Sequence, residues 1–324
     1  MTERSGVPRA RHRMGRIAWT TLAAVALVLG PAAGAITGPT IKIGGPEDQL
    51  HPSAFGDRVI WTQNSEGSPN RDHAYWKMLR SDERVRIDAP DHRGAAGGIE
   101  PGGTRAIYQQ MTATDSGIFW YTFEDGHRSR VTIDGVNTDR WERDPRVSGT
   151  FLFFARDAGT QTSLYLANRP GGPVDLIAAY DFTRYYVVPG AVGDRYASWT
   201  TCGPFTCTAW SYDIEAKDPQ PRKIPSDGRP QYAPVIDEAG AWVYTVRSGA
   251  KCGENVGIWR RAWPILPETP AAERLVLLPD GIDVGFTLSL DRSSGTQVDL
   301  WFSRYRCAAQ HGDVAVLRHV ETGP

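Results

Sequence analysis

The chain lacks the short motifs that identify many enzyme families. It has no Gly-x-Ser-x-Gly sequence, which an α/β serine hydrolase needs to expose its nucleophile on a sharp turn. It has neither common form of the glycine-rich phosphate-binding loop. Cys-x-x-Cys and His-x-x-x-His spacings are also missing, so the usual zinc-ligand patterns do not occur. The motifs therefore give no support to serine hydrolysis, nucleotide binding or zinc binding.

Long hydrophobic runs are also missing. The apolar stretch at residues 17–29 is shorter than the roughly 20 residues that a helix needs to cross a bilayer. Five arginines precede this stretch and Ala33-Gly34-Ala35 follows it, which together are typical of a secretory signal peptide. We expect residues 1–35 to be a signal peptide that is cleaved after Ala35, and residues 36–324 to form one domain. Retention of the stretch as an uncleaved anchor is the alternative.

The chain has no excess of basic residues. Its formal net charge is −1 at pH 7, and signal cleavage would remove five arginines but a single glutamate. The mature chain is therefore mildly acidic and contains no basic block of the kind that binds nucleic acids or anionic lipids. We expect no nucleic-acid partner and no transmembrane segment after signal cleavage.

The chain has only four cysteines. All four lie in the exported part of the chain, as Cys202, Cys207, Cys252 and Cys307. An even number of cysteines in an oxidising environment predicts two disulfides. Together with the signal peptide, this predicts a secreted protein that is extracellular or associated with the cell envelope.

A repeat of strands and turns organises the mature chain. Short runs of β-branched and aromatic residues alternate with Gly, Pro and Asp clusters, which predicts strands and turns. The clearest copy begins at Pro145 and predicts strands at 151–155, 163–167 and near 174–177. A sixth copy, from Asp283, lacks the proline that marks the start of the others. The marker prolines, 44 to 49 residues apart, are Pro52, Pro101, Pro145, Pro189 and Pro234.

A repeat of this length is the spacing of β-propeller blades, each of which is a four-stranded antiparallel sheet. The last copy contains three predicted strands, and segment 39–43 can supply the fourth. Sharing a blade in this way closes the ring and removes an open edge. We therefore predict an all-β fold, a six-bladed β-propeller of four-stranded antiparallel blades whose ring is closed by an N-terminal strand.

The phase of the repeat predicts which cysteines pair. Cys202 ends one strand and Cys207 begins the next, so this pair would close a hairpin. Cys252 and Cys307 fall in equivalent loops of adjacent blades on one face, within reach of a disulfide. Five tryptophans also recur at the blade spacing, and we expect them in the core: Trp61, Trp120, Trp199, Trp242 and Trp301.

The chain resembles the TolB-like family of six-bladed propellers over nearly all of residues 40–320. The resemblance depends on the pattern Pro-x-small-x-Gly-x-x-apolar-aromatic followed by Leu-Tyr-Leu, as in residues 145–166. It implies a six-bladed propeller, and it implies protein–protein interaction as the role.

Three loops before inner strands combine an arginine with an aromatic residue: Arg140-Trp141-Glu142-Arg143, Phe182-Thr183-Arg184-Tyr185-Tyr186 and Arg229-Pro230-Gln231-Tyr232. In a propeller these loops border the mouth of the central channel, where aromatic faces and guanidinium groups suit a carboxylate, a sugar or a peptide end. The predicted ligand-binding residues are Arg140, Trp141, Arg143, Arg184, Tyr185, Tyr186, Arg229 and Tyr232. Alternatively, the aromatics pack between blades and the arginines pair with Asp139, Asp144 and Asp181.

No catalytic residue and no metal site is predicted. Carboxylates near the inner strands do not recur at one blade position, as a metal ring would require. The scattered histidines His51, His73, His92, His127 and His311 are expected on the surface. We predict a secreted, monomeric, non-enzymatic binding module without a cofactor, whose ligand is a protein, a peptide or a glycan. The alternative is an extracellular hydrolase or lyase that uses the central funnel, with or without calcium.

Overall fold

A computed structural model describes residues 47–64, 72–239, 241–292, 297–308 and 311–320, all within the compact unit Ala33–Pro324. Every regular element in these ranges is a β-strand, which confirms the all-β prediction. None of the described segments forms a helix that could span a membrane. The predicted signal peptide and the predicted closing strand at 39–43 lie outside the described residues.

The strands follow one another in antiparallel groups. Group one contains β1 (Asp48–Phe55), β2 (Arg58–Asn64), β3 (Asp72–Met78) and β4 (Val85–Arg86). Group two contains β5 (Arg93–Ile99), β6 (Arg105–Met111), β7 (Ser116–Thr122) and β8 (Arg128–Arg130). Group three contains β9 (Trp141–Val147), β10 (Phe151–Ala158), β11 (Gln161–Asn168) and β12 (Val174–Asp181). One parallel pair, Ser116 with Trp141, joins groups two and three into an eight-stranded sheet.

The second half of the chain repeats the pattern. Group four contains β13 (Tyr186–Val192), β14 (Tyr196–Cys202), β15 (Cys207–Asp213) and β16 (Arg222–Lys223). Group five contains β17 (Gln231–Asp237), β18 (Trp242–Arg247), β19 (Gly257–Ala262) and β20 (Glu273–Leu277). Group six contains three described strands, β21 (Ile282–Asp291), β22 (Gln297–Arg306) and β23 (His311–Val320). Multiple four-stranded antiparallel sheets are therefore present, as predicted.

The first strand of each group contacts the first strand of the next group. β1 contacts β5, β5 contacts β9, β9 contacts β13, β13 contacts β17, and β17 contacts β21. β21 in turn contacts β1, so the first and last groups are neighbours. We call these six strands the innermost strands, because they surround a common axis.

The hydrophobic core lies between the groups. Each of six clusters of buried side chains contains residues from two neighbouring groups. Trp61 and Trp301, both fully buried, belong to the cluster that joins group one to group six. Trp120 and Trp199 are also buried, as predicted, whereas Trp242 is only partly buried.

Four of the five marker prolines lie on innermost strands, and Pro101 does not. Pro101 lies in the turn between β5 and β6, so the expected phase of the second repeat is wrong. Gly97 takes the place of the proline on β5, at the shift of register between Ala96 and Gly98. A side chain there would collide with the carbonyl oxygen of Pro145, and this close approach of two backbones explains why glycine replaces proline.

Both disulfides form as the repeat predicts. Cys202 and Cys207 lie opposite each other at the adjoining ends of β14 and β15, with their Cα atoms 4.0 Å apart. Cys252, in the loop between β18 and β19, pairs with Cys307, which follows β22, and their Cα atoms are 5.9 Å apart. The first bond closes a hairpin, and the second ties group five to group six.

The Arg146 side chain joins three neighbouring innermost strands. Its guanidinium donates hydrogen bonds to the carbonyl oxygens of Gly97 at 2.8 Å, Gly190 at 3.0 Å and Pro145 at 3.1 Å. Arg146 is only 7 % exposed. Burial lowers its pKa, although the charge of Asp144 opposes that shift. The bonds of this buried cation to three strands fix the spacing of the strands around the axis.

We expect the two disulfides to differ in their contribution to stability. The loop that Cys252–Cys307 closes is much longer than that of Cys202–Cys207, with sequence separations of 55 and 5. Chain-entropy reasoning gives losses of about 4 kcal/mol for C252A/C307A and about 2 kcal/mol for C202A/C207A. Urea unfolding of the two double variants measures the difference, and a larger loss for C202A/C207A would contradict it.

We expect Arg146→Met to lower the free energy of unfolding by about 2 kcal/mol, because it leaves buried carbonyl oxygens without their donor. Arg140→Ala is the control, since Arg140 is 57 % exposed and pairs only with an exposed carboxylate. The control should change stability by less than about 0.5 kcal/mol. Urea titration of both variants tests this, and an R146M protein as stable as the parent would refute the bridging role.

Candidate functional site

Two cavities open at the end of the unit where the innermost strands begin. The first has a volume of about 710 Å³, and the beginnings of β1, β9 and β13 line it together with side chains from β2, β5 and β6. The second has a volume of about 600 Å³ and lies among the loops 203–206 and 248–252 and the beginning of β21. Leu50, His51 and Tyr186 line both cavities. We call the two adjoining cavities the funnel.

His51 and Asp144 reach the funnel from matching places on their strands. Each directly precedes a marker proline, and their φ angles are 52° and 50°, values that few residues other than glycine adopt. The register of β1 and of β9 shifts at these positions, which marks a β-bulge that redirects the side chain. Ala233, with φ of 49°, shows the same feature before Pro234. The bulge therefore belongs to the repeat, whereas the polar side chains at two of its copies belong to the site.

The prediction of surface histidines is correct for His127 but wrong for three others. His51 lines both cavities, and His73 lies on β3, where its Nδ1 is 2.9 Å from a carboxylate oxygen of Asp88. His92 is also partly buried. The side chain of His311 lies outside the described residues. The position of His51 before a marker proline was the sequence signal that could have identified it.

The Arg143 guanidinium holds two carboxylates at the wall of the first cavity. Its Nη1 donates to Asp144 at 2.6 Å, and its Nε donates to Asp157 at 2.8 Å. Nη1 also donates to the carbonyl oxygen of Val187 at 2.9 Å, which ties β9 to β13. The side chains of Arg143 and Asp144 are only 14 % and 16 % exposed. The pair is therefore shielded from solvent, which strengthens its attraction.

Charge and burial shift the pKa values of this wall. Burial alone would raise the pKa of Asp144, but Arg143, His51 and Arg146 together lower it below its usual value. Burial lowers the pKa of His51, and the opposing effect of Asp144 is smaller. At neutral pH the wall therefore presents a charged carboxylate beside a neutral imidazole. Such an imidazole can accept a proton, and both groups can hold the hydroxyl groups of a ligand.

The second cavity contains a buried tyrosine paired with a half-buried carboxylate. The Tyr232 hydroxyl donates a hydrogen bond to Asp283. Backbone N–H groups of Gly253 and Val284 donate to the same carboxylate at 3.2 and 2.7 Å. Burial first, and then the charge of Asp283, raise the pKa of Tyr232 well above its usual value. The hydroxyl therefore stays protonated and keeps Asp283 in place.

The exposed aromatic side chains of the described residues all lie in the funnel. Phe205, at the tip of the hairpin that Cys202–Cys207 closes, is 95 % exposed. The Phe286 ring lies between two tyrosine rings, with centroid distances of 5.7 Å to Tyr186 and 5.6 Å to Tyr232. The five exposed aromatic residues are Phe182, Tyr185, Tyr186, Phe205 and Phe286.

The structure brings five of the eight predicted binding residues to the funnel. Trp141, Arg143, Tyr185 and Tyr186 line the first cavity, and Tyr186 also lines the second together with Tyr232. Tyr185 and Tyr186 are exposed rather than packed between groups, whereas Tyr232 is buried in the cluster between groups five and six, as the alternative interpretation expects. Their role in binding a ligand stays a prediction.

The other three predicted residues line neither cavity. Arg140 pairs with Asp139 at 3.5 Å, and Arg184 pairs with Asp181 at 3.6 Å. Arg229 pairs with Asp227 and lies over the Trp259 ring at 4.7 Å. The ion pairs that the alternative interpretation predicts are therefore present, including that of Arg143 with Asp144.

Sequence reasoning missed several residues of the funnel, among them Phe182 and Asp283. His51 and Asp157 carry no local motif, although His51 precedes a marker proline. Phe205 is flanked by the two cysteines of a short hairpin, so its exposure could have been inferred from that position. Phe286 lies in the sixth repeat, which has no marker proline to set its phase.

The described residues contain one group of potential metal ligands, and its geometry does not support a metal. Atoms of Cys252, Asp283 and Cys307 lie within 4.8 Å of one another. The two sulfurs are joined in a disulfide, so they cannot act as thiolate ligands.

A third cavity, of about 520 Å³, lies at the opposite ends of the innermost strands, where Arg146 lines it.

We expect the stability of the protein to fall as the pH is lowered from about 7 to 5. His51 takes up a proton near pH 6.5 in the unfolded chain, whereas burial keeps it neutral in the fold. The contribution of His51 to the free energy of unfolding is therefore complete above pH 6.5. It decreases as the pH falls towards the lowered pKa of His51 in the fold. His51→Asn, whose new residue tolerates positive φ, should reduce this dependence. Urea unfolding at several pH values tests it, with His127→Asn as the exposed control, and equal slopes in H51N and the parent would contradict it.

Comparisons with known proteins identify the fold. No protein-family model matches the chain. No curated protein matches it either. Among solved structures, TolB from Acinetobacter baumannii aligns with a TM-score of 0.55 and 12 % identity over 83 % of this chain, but the chain spans only 65 % of that protein.

Two further structures belong to enzymes. Oligogalacturonate lyase from Vibrio parahaemolyticus aligns with a TM-score of 0.51 and 11 % identity, over 84 % of this chain and 80 % of that one. An oligogalacturonate lyase in complex with manganese aligns with a TM-score of 0.52 and 10 % identity, over 86 % and 79 %. At these identities the likeness concerns the fold alone. The chain therefore has the β-propeller fold of the TolB-like proteins.

Proposed function

We propose that the chain is a secreted six-bladed β-propeller that binds a ligand in its funnel without catalysing a reaction. The six groups correspond to the blades, and residues 36–324 form the single domain. Contact of β21 with β1 and the shared core of groups one and six support a closed ring. Group six has three described strands, which leaves the place of a fourth for residues 39–43.

The concentration of exposed aromatic rings in the funnel carries this proposal. All five exposed aromatic side chains of the described part of the chain line one of the two cavities. A soluble protein seldom leaves apolar side chains clustered in this way unless they contact a partner. The Arg143–Asp144 and Tyr232–Asp283 pairs place a few fixed polar groups beside the rings. Such a mixture is typical of a ligand pocket.

The two disulfides support a location outside the cytoplasm, because structural disulfides persist in oxidising compartments. We propose that residues 1–35 direct export and are then removed, and that the mature propeller acts as a monomer in the cell envelope or outside the cell. Its partner is a protein, a peptide or a glycan.

Catalysis by a hydrolase or lyase is the second candidate, and one observation favours it. His51 is neutral and faces the funnel beside the ionised Asp144, so it could act as a general base. Against this, Arg143 engages both Asp144 and Asp157, and its charge helps to hold the pKa of Asp144 below its usual value, so Asp144 is unsuited to donate a proton.

We expect Y186S/F205S to lose the ligands that the parent protein retains on oligosaccharide and peptide arrays, because the exposed rings provide the contact surface. Leu266→Ser is the matched control, since Leu266 is 50 % exposed but lines neither cavity. Retention of the same ligands by Y186S/F205S would contradict the proposal.

Incubation of each retained ligand with the parent and with H51N, followed by mass spectrometry, separates binding from catalysis. Turnover by the parent that is lost in H51N would establish the enzyme.

A further inference from the structure

We propose that the ligand of the funnel is a linear, uncharged oligosaccharide that occupies both cavities. This inference rests on the proposed function, because it names the ligand class of the same site. Three properties of the funnel support it: the adjacency of its two cavities, its exposed rings and the balance of its charges.

The two cavities of the funnel adjoin each other. Each cavity, at about 710 and 600 Å³, has the size of a pocket for one small ligand. Leu50, His51 and Tyr186 line both, so the cavities meet at these side chains. A single compact molecule would fill one cavity, whereas a chain molecule can pass Tyr186 and fill both.

The rings at this junction offer a surface that suits a sugar. Tyr186 is 54 % exposed and Phe286 is 40 % exposed, and their ring centroids are 5.7 Å apart. The face of an aromatic ring is electron-rich, so it attracts the slightly positive C–H groups on the face of a pyranose. The hydroxyl groups of the sugar lie around its edge and remain free to contact polar side chains beside the rings.

The charged side chains that line the funnel nearly cancel, since Arg93, Arg143 and Lys251 stand against Asp72, Asp144, Asp157 and Asp283. Arg143 already binds Asp144 and Asp157, so an anionic ligand would have to displace one of these carboxylates. Asp283 accepts hydrogen bonds from the Tyr232 hydroxyl and two backbone N–H groups. A carboxylate has about four acceptor positions, so ligand hydroxyls can donate to those still open. This balance favours an uncharged polyhydroxyl ligand over an acidic sugar or an acidic peptide.

The disulfides keep the walls of the second cavity in place. The loop 203–206 lies between Cys202 and Cys207, and Cys252 of the opposite wall is tied to Cys307. Walls that are already fixed lose little conformational freedom when a ligand binds. This matters for an uncharged sugar, whose individual contacts are weak.

Isothermal titration of the full chain with cello-, xylo- and malto-oligosaccharides tests the proposal. For at least one series we expect the hexasaccharide to bind more than tenfold more tightly than the disaccharide, because only the longer chain reaches both cavities. Tyr186→Ala should weaken hexasaccharide binding by about tenfold, the loss expected for one ring contact. Tyr186→Phe should bind within about twofold of the parent, since it keeps the ring.

Leu176→Ala serves as the control, because Leu176 is 58 % exposed on β12 and lines neither cavity. Equal affinity for the disaccharide and the hexasaccharide, or equal losses in Y186A and Y186F, would overturn the proposal. Tighter binding of oligogalacturonate at Tyr186 would overturn the uncharged character of the ligand, and tighter binding of a peptide there would overturn the sugar class, but either would leave the binding function intact. Absence of binding by every class of probe would overturn both.

Discussion

Packing of group six against group one is the constraint on which the rest of the structure depends. A twisted sheet has two faces, and a row of stacked sheets leaves the outer face of its first and last members in water. Here Trp61 and Trp301 are fully buried in the cluster that joins these two groups. The backbone N–H of Gly312 also donates to Asp48 at 3.0 Å. Every described group therefore has a neighbour on both faces.

The innermost strands approach one another so closely that their side chains have to be small or specialised. A Cβ at Gly190 would lie 2.6 Å from the carbonyl oxygen of Pro234, so this position tolerates only glycine. The Arg146 guanidinium bonds to three of these strands. The same crowding buries His51 and Asp144 and shifts their pKa values. The close approach of the innermost strands therefore contributes to the stability of the fold and also shifts the pKa values of the site.

Much of the fold could be predicted from the sequence, because strand and turn signals are local and the repeat multiplies them. The cysteine pairing followed from the phase of the repeat, since equivalent loops of adjacent groups lie side by side. The phase of the second repeat was predicted wrongly because Pro101 lies in a turn. Gly97 occupies the position on β5 that a proline occupies in other groups. A glycine selected by contact with a distant backbone gives no local signal.

The sequence by itself determined the strand class, the repeat, the two disulfides and the aromatic character of the loops, because these depend on residue type and spacing. The tertiary structure decided which aromatics stay exposed, which arginines are used up in ion pairs, and that His51 faces the funnel. Tyr185 and Arg184 are adjacent, yet only Tyr185 lines a cavity. Burial, pairing and shifted pKa values depend on neighbours from several groups, and only the packing of those groups against one another sets the distances between the residues.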